Sequence, residues 1–162
     1  MVESSIQKGI KKTEAILKDL TLTDIEMDFN PPKKFKLNDI INKNSYALFE
    51  SAKYENKIWN FYFIPLSSNF LKILGLIERF KNIENIQIED VLDPFLEIGS
   101  IICGNIISTI TKNLIFTPPI LLYKFNIEDD FINGVEIKFE INSLNISGNL
   151  LLAYTEAIND EN

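Results

Sequence analysis

The chain is organised around one apolar stretch, Asp93-Pro94-Phe95-Leu96-Glu97-Ile98-Gly99-Ser100-Ile101-Ile102-Cys103-Gly104-Asn105-Ile106-Ile107-Ser108. Asp93 can cap a helix and Pro94 is tolerated in a first turn, so we predict a helix from about residue 90 or 94 to 112. At about 100° per residue, the large apolar side chains fall on one face and the small and polar ones on the other. The apolar face holds Phe95, Ile98, Ile102, Ile106 and Ile110; the other holds Glu97, Ser100, Gly104, Ser108 and Thr111, with Ile101 at its edge.

Gly104 lies in the interior of this predicted helix, where glycine costs roughly 1 kcal/mol relative to alanine. A glycine in such a place usually has a packing reason. We therefore expect another backbone to approach the helix closely at Gly104.

This segment resembles the signature helix of the CheX phosphatases of bacterial chemotaxis, which are relatives of CheC and of FliY. That family has the pattern Glu-x-x-Asn, followed by Gly-Asn five residues later. Glu97, Gly104 and Asn105 match the pattern, and Thr117-Pro118-Pro119 is similar as well. Ser100 stands where the family has its catalytic asparagine.

The resemblance implies an α+β fold of the α/β sandwich type. It consists of a pseudo-twofold duplication with a mainly antiparallel sheet of about six strands and about three helices, in one domain over residues 1–162. It also implies a protein that docks on a phosphorylated CheY-type response regulator and hydrolyses its aspartyl phosphate, with activity reduced by the serine. The alternative is a non-catalytic homologue that binds a response regulator or a chemotaxis or flagellar partner; a third possibility is an interaction domain that has lost the regulator site.

The resemblance also assigns roles to residues. Glu97 would contact a lysine of the regulator and Ser100 would have to orient the attacking water, so both are candidate catalytic residues. Ile101 and Gly104 join Glu97 as candidate partner contacts. Asn105 is expected to be structural, through a side-chain hydrogen bond to a neighbouring loop. The chain would hold no metal or cofactor, because the Mg²⁺ of the reaction would belong to the regulator.

Taken alone, two of these residues have plainer interpretations. Glu97 would be an ordinary solvated glutamate in a first helical turn, which the helix dipole favours. Ser100 would be a small residue that permits close helix contact. Both interpretations stay open at this point.

The composition excludes several classes of function. The net charge is −7 with scattered acidic residues, so nucleic-acid binding through a basic patch is not expected. The chain has no histidine and one cysteine, which excludes Cys/His zinc sites and imidazole bases. Cys103 cannot form an internal disulfide and is expected to be a small buried hydrophobe in a reducing compartment. With no signal region and no run of about 18 apolar residues, we expect a cytoplasmic protein without membrane insertion.

Around the central helix, hydrophobic periodicity predicts the other elements. Lys33-Lys34-Phe35-Lys36 is interpreted as part of a solvated loop over residues 30–44.

The strand Lys57–Ile64 is apolar on both faces, which favours a central strand or an interface. Because the resemblance to CheX also implies dimers, we predict a homodimer. The element order repeats between the two halves, each with a diproline near its single strand. The remaining predictions are helices over 3–20 and 68–81 (the latter capped by Ser67 or Ser68), strands over 24–29, 45–52, 120–125, 135–141 and 144–154, and a frayed acidic tail over 156–162.

Overall fold

The computed structural model describes residues 2–41, 46–110, 115–123, 127 and 129–158. Four α-helices lie in these ranges: α1 (Val2–Thr21), α2 (Leu37–Ile40), α3 (Ser68–Ile77) and α4 (Leu92–Ser108). The strands are β1 (Ile25–Phe29), β2 (Lys33–Lys36), β3 (Tyr46–Tyr54), β4 (Lys57–Pro65), β5 (Ile115–Phe116), β6 (Ile120–Tyr123), β7 (Phe131–Ile141) and β8 (Ile146–Ile158). Short 3₁₀ turns cover Ile88–Val91 and Asn142–Leu144.

The strands form one antiparallel sheet in the order β1-β7-β8-β4-β3-β5. Strand β2 lies on the same edge as β1, because both pair with β7, and β6 lies on the same edge as β5, because both pair with β3. The eight strands therefore fill six strand positions across the sheet. The predicted α+β fold with a mainly antiparallel sheet is confirmed.

The two edges have the same construction. Asn30-Pro31-Pro32 separates β1 from β2, and Thr117-Pro118-Pro119 separates β5 from β6. Proline has no N–H for a strand ladder and is tolerated mainly at sheet edges, so each diproline interrupts an edge strand without ending the sheet. The repeat predicted from element order is therefore present in the sheet itself.

Helices α1, α3 and α4 cover one face of the sheet and enclose the main core. The inward residues of the central strand β4, Trp59, Phe61 and Phe63, belong to this core. On the opposite face, α2 covers a smaller cluster made of Leu37, Ala47, Ile64, Ile132, Leu151 and Ala153. Both apolar faces of β4 thus have covering residues from the same chain, and β4 is the central strand that its sequence predicted.

Residues 30–44 are not simply a loop. Lys33–Lys36 forms β2, and Leu37–Ile40 forms α2; residues 42–44 lie outside the described part of the chain. The three lysines are exposed while Phe35 is half-buried, as expected of an edge strand with one side in water. Sequence reasoning missed this strand because its charged residues conceal the alternation.

Two helices have different ends from those predicted. Helix α3 ends at Ile77 and not at 81, because Arg79 takes a left-handed φ of 61°. Ser67 occupies the predicted N-cap position, but its hydroxyl makes no capping hydrogen bond and instead accepts one from the Asn149 N–H at 3.2 Å.

Helix α4 begins at Leu92 and ends at Ser108, and Asp93 makes no capping hydrogen bond. Asp90 supplies the local cap one turn earlier, since its Oδ2 accepts the Gln87 N–H at 2.9 Å. Residues 111 and 112, which the prediction included, lie outside the described part of the chain.

The tail also differs. Residues 156–158 were expected to fray, but they continue β8 beside β4, and Lys57 Nζ lies 3.3 Å from Glu156 Oε1. The remaining residues of the predicted tail, 159–162, are outside the described ranges.

Candidate functional site

Helix α4 separates its residues as its periodicity predicts. Ile98, Ile102 and Ile106 are buried in the main core, together with Phe95 and Cys103. Glu97 is exposed, and Ser100, Ile101 and Gly104 are partly exposed. A carboxylate, a hydroxyl and a glycine therefore share the open side of an otherwise isoleucine-rich helix.

A groove of about 390 Å³ runs along this open side. Ser100 and Gly104 form one wall, the segment 116–119 forms the other, and Glu50 from β3 contributes the floor. Glu97 and Ile101 lie on the same helix but do not line the groove. The structure thus brings together two of the predicted site residues and adds one that was not predicted.

Gly104 does not serve helix packing. A Cβ added there would meet no atom of the described residues within 4 Å, so the expected close approach of another backbone is not found among them. The tight contacts lie at other glycines: Gly99 packs against Leu48, and Gly9 of α1 packs against Ile106, where an added Cβ would be 2.8 Å from the Ile106 Cα. Gly104 instead leaves a bare patch of helix beside the groove.

Asn105 has the predicted structural role with a different partner. Its Nδ2 donates to the Thr13 Oγ1 at 3.0 Å, and Thr13 donates to the Gly9 carbonyl at 2.8 Å. The acceptor is on α1 and not on a loop. The correction follows from the α1–α4 packing, which a single helix pattern does not reveal.

Thr117 fixes the opposite wall of the groove to β3. Its N–H donates to the Ser51 carbonyl at 2.9 Å, and its hydroxyl oxygen accepts the Ser51 N–H at 3.0 Å. Ser51 follows Glu50 directly, so the Thr117-Pro118-Pro119 turn is held next to the carboxyl on the groove floor.

Glu50 is the functional candidate that sequence reasoning missed. It is 4 % exposed and faces the helix layer in phase with Leu48 and Ala52, opposite Phe61 on β4. The Cys103 thiol donates a hydrogen bond to this carboxyl, whereas Oε2 has no hydrogen-bond partner among the described residues. The alternation of β3 was the available signal, because it places Glu50 on the inward side.

Burial controls the ionisation of this pair. Burial raises the pKa of the Glu50 carboxyl to about 7, although the Cys103 hydrogen bond opposes the shift. Burial also raises the pKa of the Cys103 thiol, and the nearby Glu50 charge adds to the effect. Cys103 is therefore a neutral core thiol, and Glu50 exchanges its proton near neutral pH.

The described structure offers neither a metal site nor an unaccounted membrane span. The described residues contain no group of three or more Asp, Glu, Cys or His side chains that could hold a metal ion. The continuous helical segment Ile88–Ser108 has the length and hydropathy of a membrane span, but half of its most apolar window is buried inside the chain. Its apolar residues are accounted for by the core that they form.

No family model matches this sequence, and a comparison with curated protein sequences gives no significant match. Solved structures do resemble it, and they define the class as the CheC/CheX-like α+β fold.

Three of these structures show the likeness. CheX from Vibrio vulnificus has a TM-score of 0.62 at 13 % identity, over 95 % of this chain and 99 % of that one. The CheX-CheY-BeF3-Mg+2 complex from Borrelia burgdorferi has a TM-score of 0.55 at 14 % identity, over 92 % and 96 %. The FliM middle domain from H. pylori has a TM-score of 0.64 at 9 % identity, over 94 % and 88 %. At these identities, the likeness establishes the fold.

Proposed function

We propose that this protein docks on a phosphorylated CheY-type response regulator through the open side of α4. The observation that carries the proposal is the strip formed by Glu97, which is exposed, and by Ser100 and Gly104, which are partly exposed. A bare glycine in a helix lowers helix stability, and no packing against the described residues accounts for this one. Support also comes from the fold, since one structure that resembles this chain is a complex of CheX with CheY.

The enzymatic form of the proposal is hydrolysis of the regulator's aspartyl phosphate. Water would attack in line with the phosphorus–oxygen bond, while the regulator supplies the metal, so the docked protein contributes mainly positioning. Glu97 would hold a lysine of the regulator and Ser100 would orient the water. A serine hydroxyl can donate and accept, but it is shorter than an amide and presents one atom instead of two. We therefore propose a weak phosphatase.

The second candidate function is binding without turnover. The observation that favours it is Ser100 itself, because misplacing a reacting group by about 1 Å can reduce a rate on the order of 10²-fold. In that case, α4 would recognise a regulator or another chemotaxis or flagellar partner, and no phosphate would be released.

Two assays separate these functions. A pull-down would compare the regulator with and without BeF3⁻, which mimics the phosphoryl group, against wild type and the Glu97→Ala variant. Capture that depends on BeF3⁻ and weakens in the variant supports docking; equal capture in all cases refutes it. Phosphate release from the phosphorylated regulator, faster with wild type than without it, then identifies the enzyme.

Assembly and location are separate proposals. The predicted homodimer no longer rests on β4, which lies inside the sheet with one face in the main core and the other half-buried. It rests on the edge formed by β5 and β6, where Ile115, Ile120 and Tyr123 are exposed. The corresponding edge at β1 and β2 carries charged residues, which discourage strand pairing, so the apolar edge is the better site for a second copy. The lone free thiol of Cys103 supports a cytoplasmic location.

A further inference from the structure

Two polar atoms beside the groove have no hydrogen-bond partner among the described residues. They are the buried Glu50 Oε2 and the Ser100 hydroxyl. A buried carboxyl that lacks a partner lowers stability, most of all when it is ionised. The position of Glu50 therefore calls for an explanation outside the packing of the chain.

The duplicated fold provides an internal comparison. Phe49 pairs with Ile120, the first residue after one diproline, and Gly134 pairs with Lys33, the first residue after the other. The next residues, Glu50 and Val135, therefore occupy equivalent positions in the two halves. Val135 is completely buried. The fold accepts an apolar side chain at this position, so it does not itself require the Glu50 carboxyl.

The groove above Glu50 has a definite chemistry. Its walls are mostly apolar, with Phe116, Pro118, Pro119 and Gly104, and the described residues that line it include no lysine or arginine. Among these described lining residues, Glu50 is the one ionisable group. Glu97 adds a second carboxylate to the same open side of α4, and the described structure gives it no ion pair. Such a groove suits a side chain with an apolar stem and a positive head.

We propose that the groove binds a lysine side chain of the docked protein partner, with its stem against Phe116 and Pro118 and its ammonium group on the Glu50 carboxylate. Lysine fits better than arginine, because the Glu50 carboxyl is only 4 % exposed and leaves little room for two parallel hydrogen bonds. An arginine fork is best matched by two free oxygens, whereas an ammonium group acts as a point charge. The proposal rests on the proposed function only in taking the response regulator to be that partner.

Proton release accompanies this binding. The groups that face Glu50 from the described elements are the Cys103 thiol on α4, Phe61 on β4 and the Phe116–Pro119 wall. The thiol stays neutral, so Glu50 is the group that titrates near neutral pH. With its pKa at about 7, roughly a tenth of the carboxyl is ionised at pH 6 and nine tenths at pH 8. Affinity for an ammonium group should therefore rise about tenfold over this range.

The test uses the whole chain with two probes. The first is the BeF3⁻-activated regulator, whose affinity is measured at pH 6 and pH 8. The second is n-butylammonium chloride, with sodium chloride at equal ionic strength as reference; the pKa of Glu50 is followed by NMR of glutamate labelled with ¹³C at Cδ. The variants are Glu50→Gln, which keeps the shape and an acceptor oxygen, and Glu55→Gln, which removes one exposed charge at the β3–β4 turn.

We expect regulator affinity to rise about tenfold from pH 6 to pH 8 in wild type and Glu55→Gln. In Glu50→Gln, it should be at least tenfold weaker at pH 8 and independent of pH. n-Butylammonium, but not sodium, should lower the pKa of Glu50. A regulator that binds wild type and Glu50→Gln equally, without the pH dependence, would overturn the inference and leave the proposed function standing.

The lysine groove can also be supported while the proposed docking on a regulator is refuted. If n-butylammonium lowers the pKa of Glu50 but the regulator does not bind, the lysine groove is supported and the proposed function is refuted. If neither probe responds, both are refuted. Circular dichroism of Glu50→Gln shows whether a loss of binding reflects a loss of folding, and the n-butylammonium measurement on wild type needs no variant.

Discussion

Asn105 on α4 donates a side-chain hydrogen bond to Thr13 on α1, with 3.0 Å between Nδ2 and Oγ1. The Thr13 hydroxyl in turn donates a hydrogen bond to the Gly9 carbonyl, and Gly9 is the residue of α1 that packs against Ile106. A polar contact and a glycine contact thus join the two long helices at one place. This junction holds the buried side of α4, and thereby orients the open side that carries Glu97, Ser100 and Gly104.

The first prediction concerns this junction. Asn105→Ala should lower the free energy of unfolding by about 1–2 kcal/mol, because it removes a partly buried hydrogen bond. Urea unfolding of Asn105→Ala, Thr13→Val and the double variant gives the coupling energy. If the decrease in the free energy of unfolding of the double variant equals the sum of the two single decreases, the two side chains do not interact directly.

The second prediction contrasts two helix glycines. Gly104→Ala should raise the free energy of unfolding by about 0.5–1 kcal/mol, because alanine is the better helix former and the added methyl group meets open space. Gly9→Ala should lower it by about 1–3 kcal/mol, because the same methyl group would collide with the Ile106 backbone. The substitution is the same, so unfolded-state effects largely cancel. Thermal or urea unfolding that gives both variants the same sign would refute this difference.

The third prediction is a loss of stability with rising pH. The pKa of Glu50 is raised in the folded protein from 4.5 to about 7, so folding favours the protonated form. The unfolded chain releases this proton first; stability therefore falls as pH rises from about 4.5 and levels off above about 7. The chain has no histidine, so no imidazole obscures this range.

Urea unfolding at pH 5.5 and pH 8 measures the effect. We expect wild type to lose on the order of 1–3 kcal/mol between them and Glu50→Gln to lose less. Glu50→Leu should be at least as stable as wild type at pH 8, because Val135 shows that the fold accepts an apolar side chain there. Equal slopes in wild type and Glu50→Gln would mean that Glu50 is not the group responsible.

The fourth prediction tests the chemistry of Ser100. If Ser100 occupies the place of the catalytic asparagine, Ser100→Asn should raise the rate at which the phosphorylated regulator loses its phosphate, by up to about 10²-fold. Stability should change little, because serine and asparagine have similar helix propensities. Glu97→Ala should weaken regulator binding in both backgrounds. A folded Ser100→Asn protein that binds the regulator without any gain in rate would favour binding without turnover.

The fifth prediction is a homodimer at tens of micromolar, joined through the β5–β6 edge. Ile120→Lys should shift sedimentation velocity toward the monomer, because it places a charge at the centre of an exposed apolar edge. Lys34→Glu on the opposite edge is the control and should leave the dimer intact. Wild type that sediments as a monomer at these concentrations would rule the dimer out.

The periodicity of α4 correctly predicted which of its residues face the core and which face outward. Spacing at 3.6 residues per turn is a local property, so the inward side of Ile98, Ile102 and Ile106 could be predicted without knowledge of the fold. The same holds for the hairpin of β3 and β4, whose alternation is strong. Strand β2 and helix α2 were missed because the charged residues at this edge of the sheet obscure the hydrophobic periodicity on which such predictions depend.

The sequence by itself determined which residues face inward, where the apolar elements run and that two halves repeat, because these depend on short-range spacing. Tertiary structure alone decided what lies against each face. It placed Gly9 and not Gly104 at the helix contact, and gave Asn105 a partner on α1. It also brought Glu50 of β3 beneath Ser100 of α4, since pairings between distant segments depend on how the sheet and helices pack together and not on any local repeat.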